Sequence, residues 1–442
     1  MTFRESEEAV MPFLKSNKLS AYTTFYIIFT VYLFIIVQFK VGINSMFSII
    51  ALFIGLLFLF DDRYAFFAMV QFYLLRRNII INDNYISSLY SIVVVFVILI
   101  RRALSKDRLT YSVPILLFLI TIVCANLATL FLDVNNNYDA RNGIMELLFQ
   151  MAYFVITVNA LSNKYDGPLF SKRKDISAAG TISAFGPLFT LLFFYVFNVP
   201  LFARESTVAS IANAVTQSYT RMDPNYLSAD LIILCFILFN GEKKKQTFFL
   251  MLYLVFNLLY LLSVTGFVLS AIMLFFLLSD TSSGYKKIIG EFSLIVCSII
   301  LAGILWNMKY APLATSKEST SNFLDFLLTG RVETWRAYIL SILENPFLGY
   351  GNSTWIYVTK YLGFPHYAHN SFLENVAGYG VIYSSVLYIL IGYSVIKSQD
   401  TKLRQLFILW FLVSLVLSYS GSFLDIFSIV YIMSRASSPI RH

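Results

Sequence analysis

The chain has 442 residues, of which 58% are hydrophobic and only 13% charged, with a formal net charge of +8. This balance, with a mean hydropathy of +0.71, excludes a soluble globular fold and points to an all-α polytopic transmembrane helical bundle. The positive charge is spread in short clusters between apolar runs, so it also excludes a nucleic-acid partner.

In chain order, residues 1–20 are polar and mixed in charge, and no small-residue cleavage pattern follows Phe39. They read as a cytoplasmic segment ahead of a retained anchor. The apolar runs 21–39, 112–132, 143–161, 181–199 and 287–306 approach or reach the roughly 20 residues that span a bilayer. Residues 64–75 form a shorter run that meets Arg76-Arg77, which suits a tilted or interfacial helix. Residues 247–279 read as two spans with a turn at Thr265-Gly266, and 406–433 as two spans broken at Ser420-Gly421-Ser422. The expected total is about 12–14 spans. Cys124, Cys235 and Cys297 each fall inside an apolar run without metal-ligand spacing and read as small hydrophobes. No internal repeat of the secondary-transporter kind is visible.

Loop charge orients the bundle. Arg101-Arg102 with Lys106 and Arg108, Lys164 with Lys172-Arg173-Lys174, Lys243-Lys244-Lys245, Lys286-Lys287, and Lys397 with Lys402 and Arg404 recur at alternate connections. By the positive-inside rule these lie in the cytoplasm together with both termini. The intervening connections near 133–141, 200–226 and 308–369 are then external. The expected organisation is therefore a bundle over 21–305 with an external loop at 200–226, a large external loop over 306–369, and C-terminal spans over 370–442.

The two longer external loops carry the chemistry. Arg221 precedes Asp223-Pro224-Asn225, a turn that starts the next helix. An arginine at the mouth of a span also serves as a snorkelling anchor. In the second loop, Gly330-Arg331 opens a segment with Trp335, Tyr338, Ile339 and Ile342 at helical spacing, and Asn345-Pro346 ends it. Arginine in a first helical turn opposes the helix dipole, unless an anion is bound there or the side chain is simply solvated. His369-Asn370 follows, and Ser371 to Glu374 has the capping-box spacing ahead of an apolar helix. A histidine at the positive end of that helix favours its neutral form, which suits a general base.

Gly330-Arg331 with Trp335, the run from Glu344 through Asn345-Pro346 to Gly349-Tyr350-Gly351, and His369-Asn370 followed by Gly380 together resemble the O-antigen polymerase and ligase superfamily. Arg221 before the Pro-Asn turn is similar to an upstream arginine of that family. The resemblance is strongest over 330–380. It departs at Ser263-Val264-Thr265-Gly266, where many members carry Ser-Arg, and at Tyr383, where the ligase pattern has Gly, Thr or Val.

The resemblance implies a glycosyltransferase that polymerises polyprenyl-diphosphate-linked oligosaccharides on the outer face of the bacterial plasma membrane, without metal or cofactor. In that reading His369 is the base, and Arg331 and Arg221 offset the diphosphate charge with planar donors. Asn370, Trp335, Tyr350, Tyr367 and Asn225 would contact the substrate. Aromatic faces stack on sugars but equally form interfacial belts. Membrane lipid and a chain-length-regulating membrane protein are the implied partners. A ligase that transfers finished chains to lipid A core is the alternative. A flippase is disfavoured, because the distinctive charges fall in loops and not within spans.

Overall fold

The computed structural model describes residues 21–39, 41, 45–76, 78–81, 84–105, 112–135, 140–161, 174–198, 224–239, 243–256, 264–279, 331–351, 354–398, 401–418 and 421–437. The first half of the helical array comprises α1 (Ala21–Gln38), α2 (Ser45–Leu56, extended by a 3-10 turn Leu57–Phe60), α3 (Asp62–Leu74), α4 (Ile86–Ser105), α5 (Val113–Asn135), α6 (Ala140–Leu161) and α7 (Lys174–Asn198). It continues with α8 (Pro224–Leu238), α9 (Lys243–Phe256) and α10 (Val264–Ser279). The last part holds α11 (Arg331–Glu344), the short α12 (Thr354–Tyr357) and α13 (Thr359–Leu362), α14 (Ser371–Lys397), α15 (Thr401–Val416) and α16 (Phe423–Ser437). A small antiparallel hairpin, with Ile80 opposite Tyr85 and Ile81 opposite Asn84, joins α3 to α4.

Among the described residues, 4 helices (α1, α4, α7 and α14) are long and apolar enough to cross a membrane, and several shorter apolar helices accompany them. Their outward faces carry Phe25, Ile28, Phe53, Phe96 and Ile389, all exposed. Apolar surface outside as well as inside is what a lipid-facing bundle requires. Since lipid is as apolar as the interior, packing and interhelical hydrogen bonds hold such helices together, at about 0.6 kcal/mol per bond. Tyr26 bonds Ser183 at 2.7 Å, Thr23 bonds Tyr64 at 2.7 Å, and Asn126 donates to Gln150 at 2.8 Å.

Three helices form the centre. Every residue of α3 from Tyr64 to Leu74 is buried. Residues 227–238 of α8 and 423–433 of α16 are buried as well. A helix apolar on all faces belongs inside a bundle, and α3 packs its aromatics on several neighbours: Phe66 on Phe427 at 4.8 Å, Phe72 on Tyr90 at 5.0 Å, Tyr73 on Phe423 at 5.3 Å. The interfacial helix expected at 64–75 is instead the bundle's core, because its tyrosines and Gln71 find partners there; the Gln71 amide donates to Thr30 at 2.8 Å. The expected two-helix readings at 247–279 and 406–433 correspond to α9 with α10 and to α15 with α16. Thr265-Gly266, expected at a turn, lies in the first turn of α10. Cys235 is buried, but Cys124 faces outward. The expected run 287–306 lies outside the described residues.

The two ends of the bundle differ. At one end Arg101 of α4 pairs with Asp62 of α3 at 2.5 Å, and Arg102 donates to Asn159 of α6 at 2.6 Å. At the opposite end, Val416 and Leu417 at the end of α15 meet the starts of α11 and α14.

Candidate active site

Amphipathic α11 docks across the start of α14 through side-chain bonds to the segment before it. The indole of Trp335 donates to the carbonyl of Ala368 at 2.9 Å, and the Tyr338 hydroxyl to that of His366 at 3.0 Å. Ala337, Tyr338, Val358, Ala368 and Ala377 form a small apolar core beneath them, separate from that of the bundle. Burial pushes the Tyr338 hydroxyl well above its ordinary pKa, so it stays a donor. Arg331, the first residue of α11, donates to the carbonyl of Val416 at 2.7 Å. Val416 ends α15, so the guanidinium caps that helix at the negative end of its dipole. This contact gives an arginine in a first helical turn a partner besides an anion.

His369 is the one non-glycine residue with positive φ, at 49°, among the described residues. Such a backbone is costly for an L-residue unless its surroundings over-determine it. They do so here. Asn370 is the N-cap of α14, its side chain accepting from the amides of Phe372 and Leu373 at 3.0 and 3.1 Å. The expected capping box, with Ser371 as cap, is therefore corrected by one residue, since the Asn amide oxygen reaches both donors. The Ser371 hydroxyl donates instead to Leu417 at 2.8 Å, and its amide bonds the same carbonyl at 3.1 Å. The Glu374 carboxylate accepts from the backbone N–H groups of Ala368 and His369 and from the Ser418 hydroxyl.

The glycines have a backbone role. The amide of Val381 bonds Pro346 at 2.7 Å, and the amide of Tyr350 bonds Ala377 at 2.9 Å. The helical bond that would join Val381 to Ala377 is thus exchanged for two bonds to the 346–350 loop, which inserts into α14 at a kink. Gly380 stands in that kink at φ 80° and ψ 167°. A Cβ there would lie 2.0 Å from the Phe347 carbonyl oxygen, and one on Gly349 would lie 2.4 Å from that of Gly378. Only glycine lets the two backbones approach so closely.

Three half-buried rings and the exposed Tyr367 flank this core. Tyr350 stacks on Tyr357 with centroids 3.6 Å apart, and Trp355 stacks on Tyr367 at 5.4 Å. Both hydroxyls of the first pair donate to Glu344, and Lys360 bonds the same carboxylate at 2.6 Å. The Lys360 bond, then that of Tyr361, holds the Glu344 carboxyl down at about 2.

The structure therefore gathers Arg331, Trp335, Tyr350, Tyr367, His369 and Asn370 at one end of the bundle. Asn225 lies in the first turn of α8, next to Tyr226, whose hydroxyl accepts from the Ser418 amide at 3.0 Å. Arg221 and Gly330 lie outside the described residues. Three nearby residues were not read as part of the site from the sequence. The His366 ring packs edge-on to that of His369 at 5.6 Å; the i, i+3 spacing of the histidines was its only signal. Glu374 was taken for half of a capping box, and Ser418 had no signal at all. Among the described residues, no group of three His, Cys, Asp or Glu side chains is placed to hold a metal ion.

A family model described as O-antigen ligase matches residues 231–388, a stretch that contains α10, α11 and His369. The match, which covers that stretch alone, is consistent with the O-antigen polymerase and ligase superfamily and points to a role of glycosyl-transfer type in polysaccharide assembly. No curated protein and no solved structure matches the chain.

Proposed function

We propose, on the premise that residues 231–388 form an O-antigen ligase family domain, that this protein polymerises polyprenyl-diphosphate-linked oligosaccharide repeat units into a surface polysaccharide. The reaction runs on the external, periplasmic face of the bacterial inner membrane. The observation that carries this reading is the left-handed His369, fixed at the mouth of α14 by Trp335 from α11, Glu374 from α14 and the turn after α15.

The chemistry is one displacement. The acceptor hydroxyl oxygen attacks the anomeric carbon, and the carbon–oxygen bond to the diphosphate breaks with its electron pair leaving on phosphate. The proton passes to the His369 imidazole. Attack opposite the leaving group inverts the anomeric centre. Arg331 and Arg221 offset the charge that builds on the diphosphate. Tyr367, exposed and backed by Trp355, offers a ring face to a sugar, while Asn370 and Asn225 lie at the two helix starts that border the site.

Tyr383, a departure from the ligase pattern, favours polymerase. The description of the matching family favours the second reading, a ligase that transfers finished chains to lipid A core. Purified protein given a lipid-diphosphate-linked repeat unit separates the two. A product ladder establishes polymerisation; no ladder, with transfer to added lipid A core, establishes the ligase. Neither product from well-folded protein and matched substrates refutes glycosyl transfer.

A further inference from the structure

Arg76 and Asp230 form a charged pair inside the bundle that the proposed chemistry does not use. Arg76 follows the C-terminal end of α3, and its Nη1 and Nη2 lie 3.4 and 3.5 Å from Asp230 Oδ2. The Asp230 side chain is 1% exposed and the Arg76 side chain 18%. Ionisable groups within membrane bundles are expensive and mark substrate paths more often than they add stability.

Its place in the fold is specific. Asp62, at the other end of α3, pairs with Arg101 beside the basic cluster that follows α4. Arg76 is therefore a helix length away, about 20 Å, at the end where Ser371 meets Leu417. Tyr73, whose ring lies 3.9 Å under the guanidinium, packs on Phe423, the first residue of α16. Tyr226, one turn before Asp230 on the same face of α8, bonds the Ser418 amide just beyond the end of α15. Arg76-Arg77 is also the basic pair placed opposite the other basic clusters, against the positive-inside pattern.

The contact is loose. A committed arginine–carboxylate pair engages both oxygens as a fork at about 2.7–2.9 Å. Here two nitrogens share one oxygen at longer range, while Nη1 is anchored on the Tyr73 carbonyl at 2.7 Å. That leaves the guanidinium oriented and its anion exchangeable.

We infer that Arg76 is a further diphosphate-binding arginine, with Asp230 as the built-in counter-ion that the ligand's phosphate oxygens displace. This rests on the proposed lipid-diphosphate donor.

Full-length protein in detergent would be titrated with farnesyl diphosphate and, separately, with inorganic pyrophosphate. Arg76→Gln is expected to weaken farnesyl diphosphate binding about tenfold or more. Asp230→Asn, which removes the competitor, is expected to tighten it. The charge-reversed double variant R76D/D230R is expected to stay folded but to bind as poorly as Arg76→Gln. Equal binding by Arg76→Gln, binding restored by the double variant, or affinity unchanged or weakened in Asp230→Asn would each overturn the inference. If Arg76→Gln fails to fold, Asp230→Asn decides alone. Wild-type protein that does not bind farnesyl diphosphate refutes the lipid-diphosphate donor itself, a separate result. Pyrophosphate bound as tightly as the prenyl form, with the same variant pattern, leaves the diphosphate assignment standing and names a free anion as its source.

Discussion

The indole N–H of Trp335 donates to the carbonyl of Ala368, the residue before His369, at 2.9 Å. One side chain from α11 thereby sets the height of the histidine backbone above α14. Trp335→Phe keeps most of the packing and deletes the bond. A neutral bond of this kind contributes about 1 kcal/mol net, so turnover is expected to fall roughly fivefold with little change in thermal stability. An unchanged rate would show that the tether does not serve the reaction.

His369 separates backbone from ring. Asparagine tolerates the left-handed backbone that His369 adopts, so His369→Asn is expected to express and purify like wild type while forming no product. His369→Ala should lose activity as completely while still expressing, because alanine bears the same left-handed backbone cost that histidine already does. Normal product ladders from either variant would remove His369 from the chemistry.

Gly380 and Gly392 share α14 but not its constraints. A methyl at Gly380 meets the Phe347 carbonyl, whereas nothing lies within 4 Å of one at Gly392. Gly380→Ala is expected to cost about 2–5 kcal/mol through backbone strain and overlap, and Gly392→Ala to be neutral or mildly stabilising. Thermal melts of both in one detergent decide it; equal melting temperatures would contradict the loop insertion.

The Glu344–Lys360 bond adds acid sensitivity. The folded carboxyl is held at about 2, below its ordinary 4.5. A depressed value means stability that is present above 4.5 and lost as pH falls toward 2. Protease resistance of the α11–α13 region should therefore hold at pH 6 and decline below pH 4, and Glu344→Gln should flatten that decline. A variant with the wild-type pH profile would show that the pair is decorative.

Glycosyl transfer is expected to survive chelation, because the proposed charge compensation comes from arginines. Activity abolished by EDTA and restored by a divalent ion would overturn this.

Much of the scaffold was legible in the sequence. Apolar runs marked α1, α5, α6 and α7; Asn345-Pro346 marked the end of α11; Gly421, at φ 74°, marked the break before α16. These signals are local, set by hydropathy and by residues that cannot continue a helix. The central position of α3 was not legible, because a short aromatic run ending in arginines looks the same at an interface and in a core. Only the neighbours distinguish them. For the same reason Ser371 read as the cap in place of Asn370, and its other role emerged only once Leu417 stood opposite it. The anion first imagined for Arg331 has a counterpart in Val416, some 85 positions along the chain, which no local pattern encodes.

The exchange of one helical bond for two loop bonds, at Val381 and Tyr350, has a mechanical consequence. A segment stitched into a span by its main chain is no hinged flap. Its amides and those of the kink must open together, so slow exchange at Tyr350 and Val381 would rise and fall as one event. Any motion of the 346–350 loop beside this splice therefore tilts α14 with it.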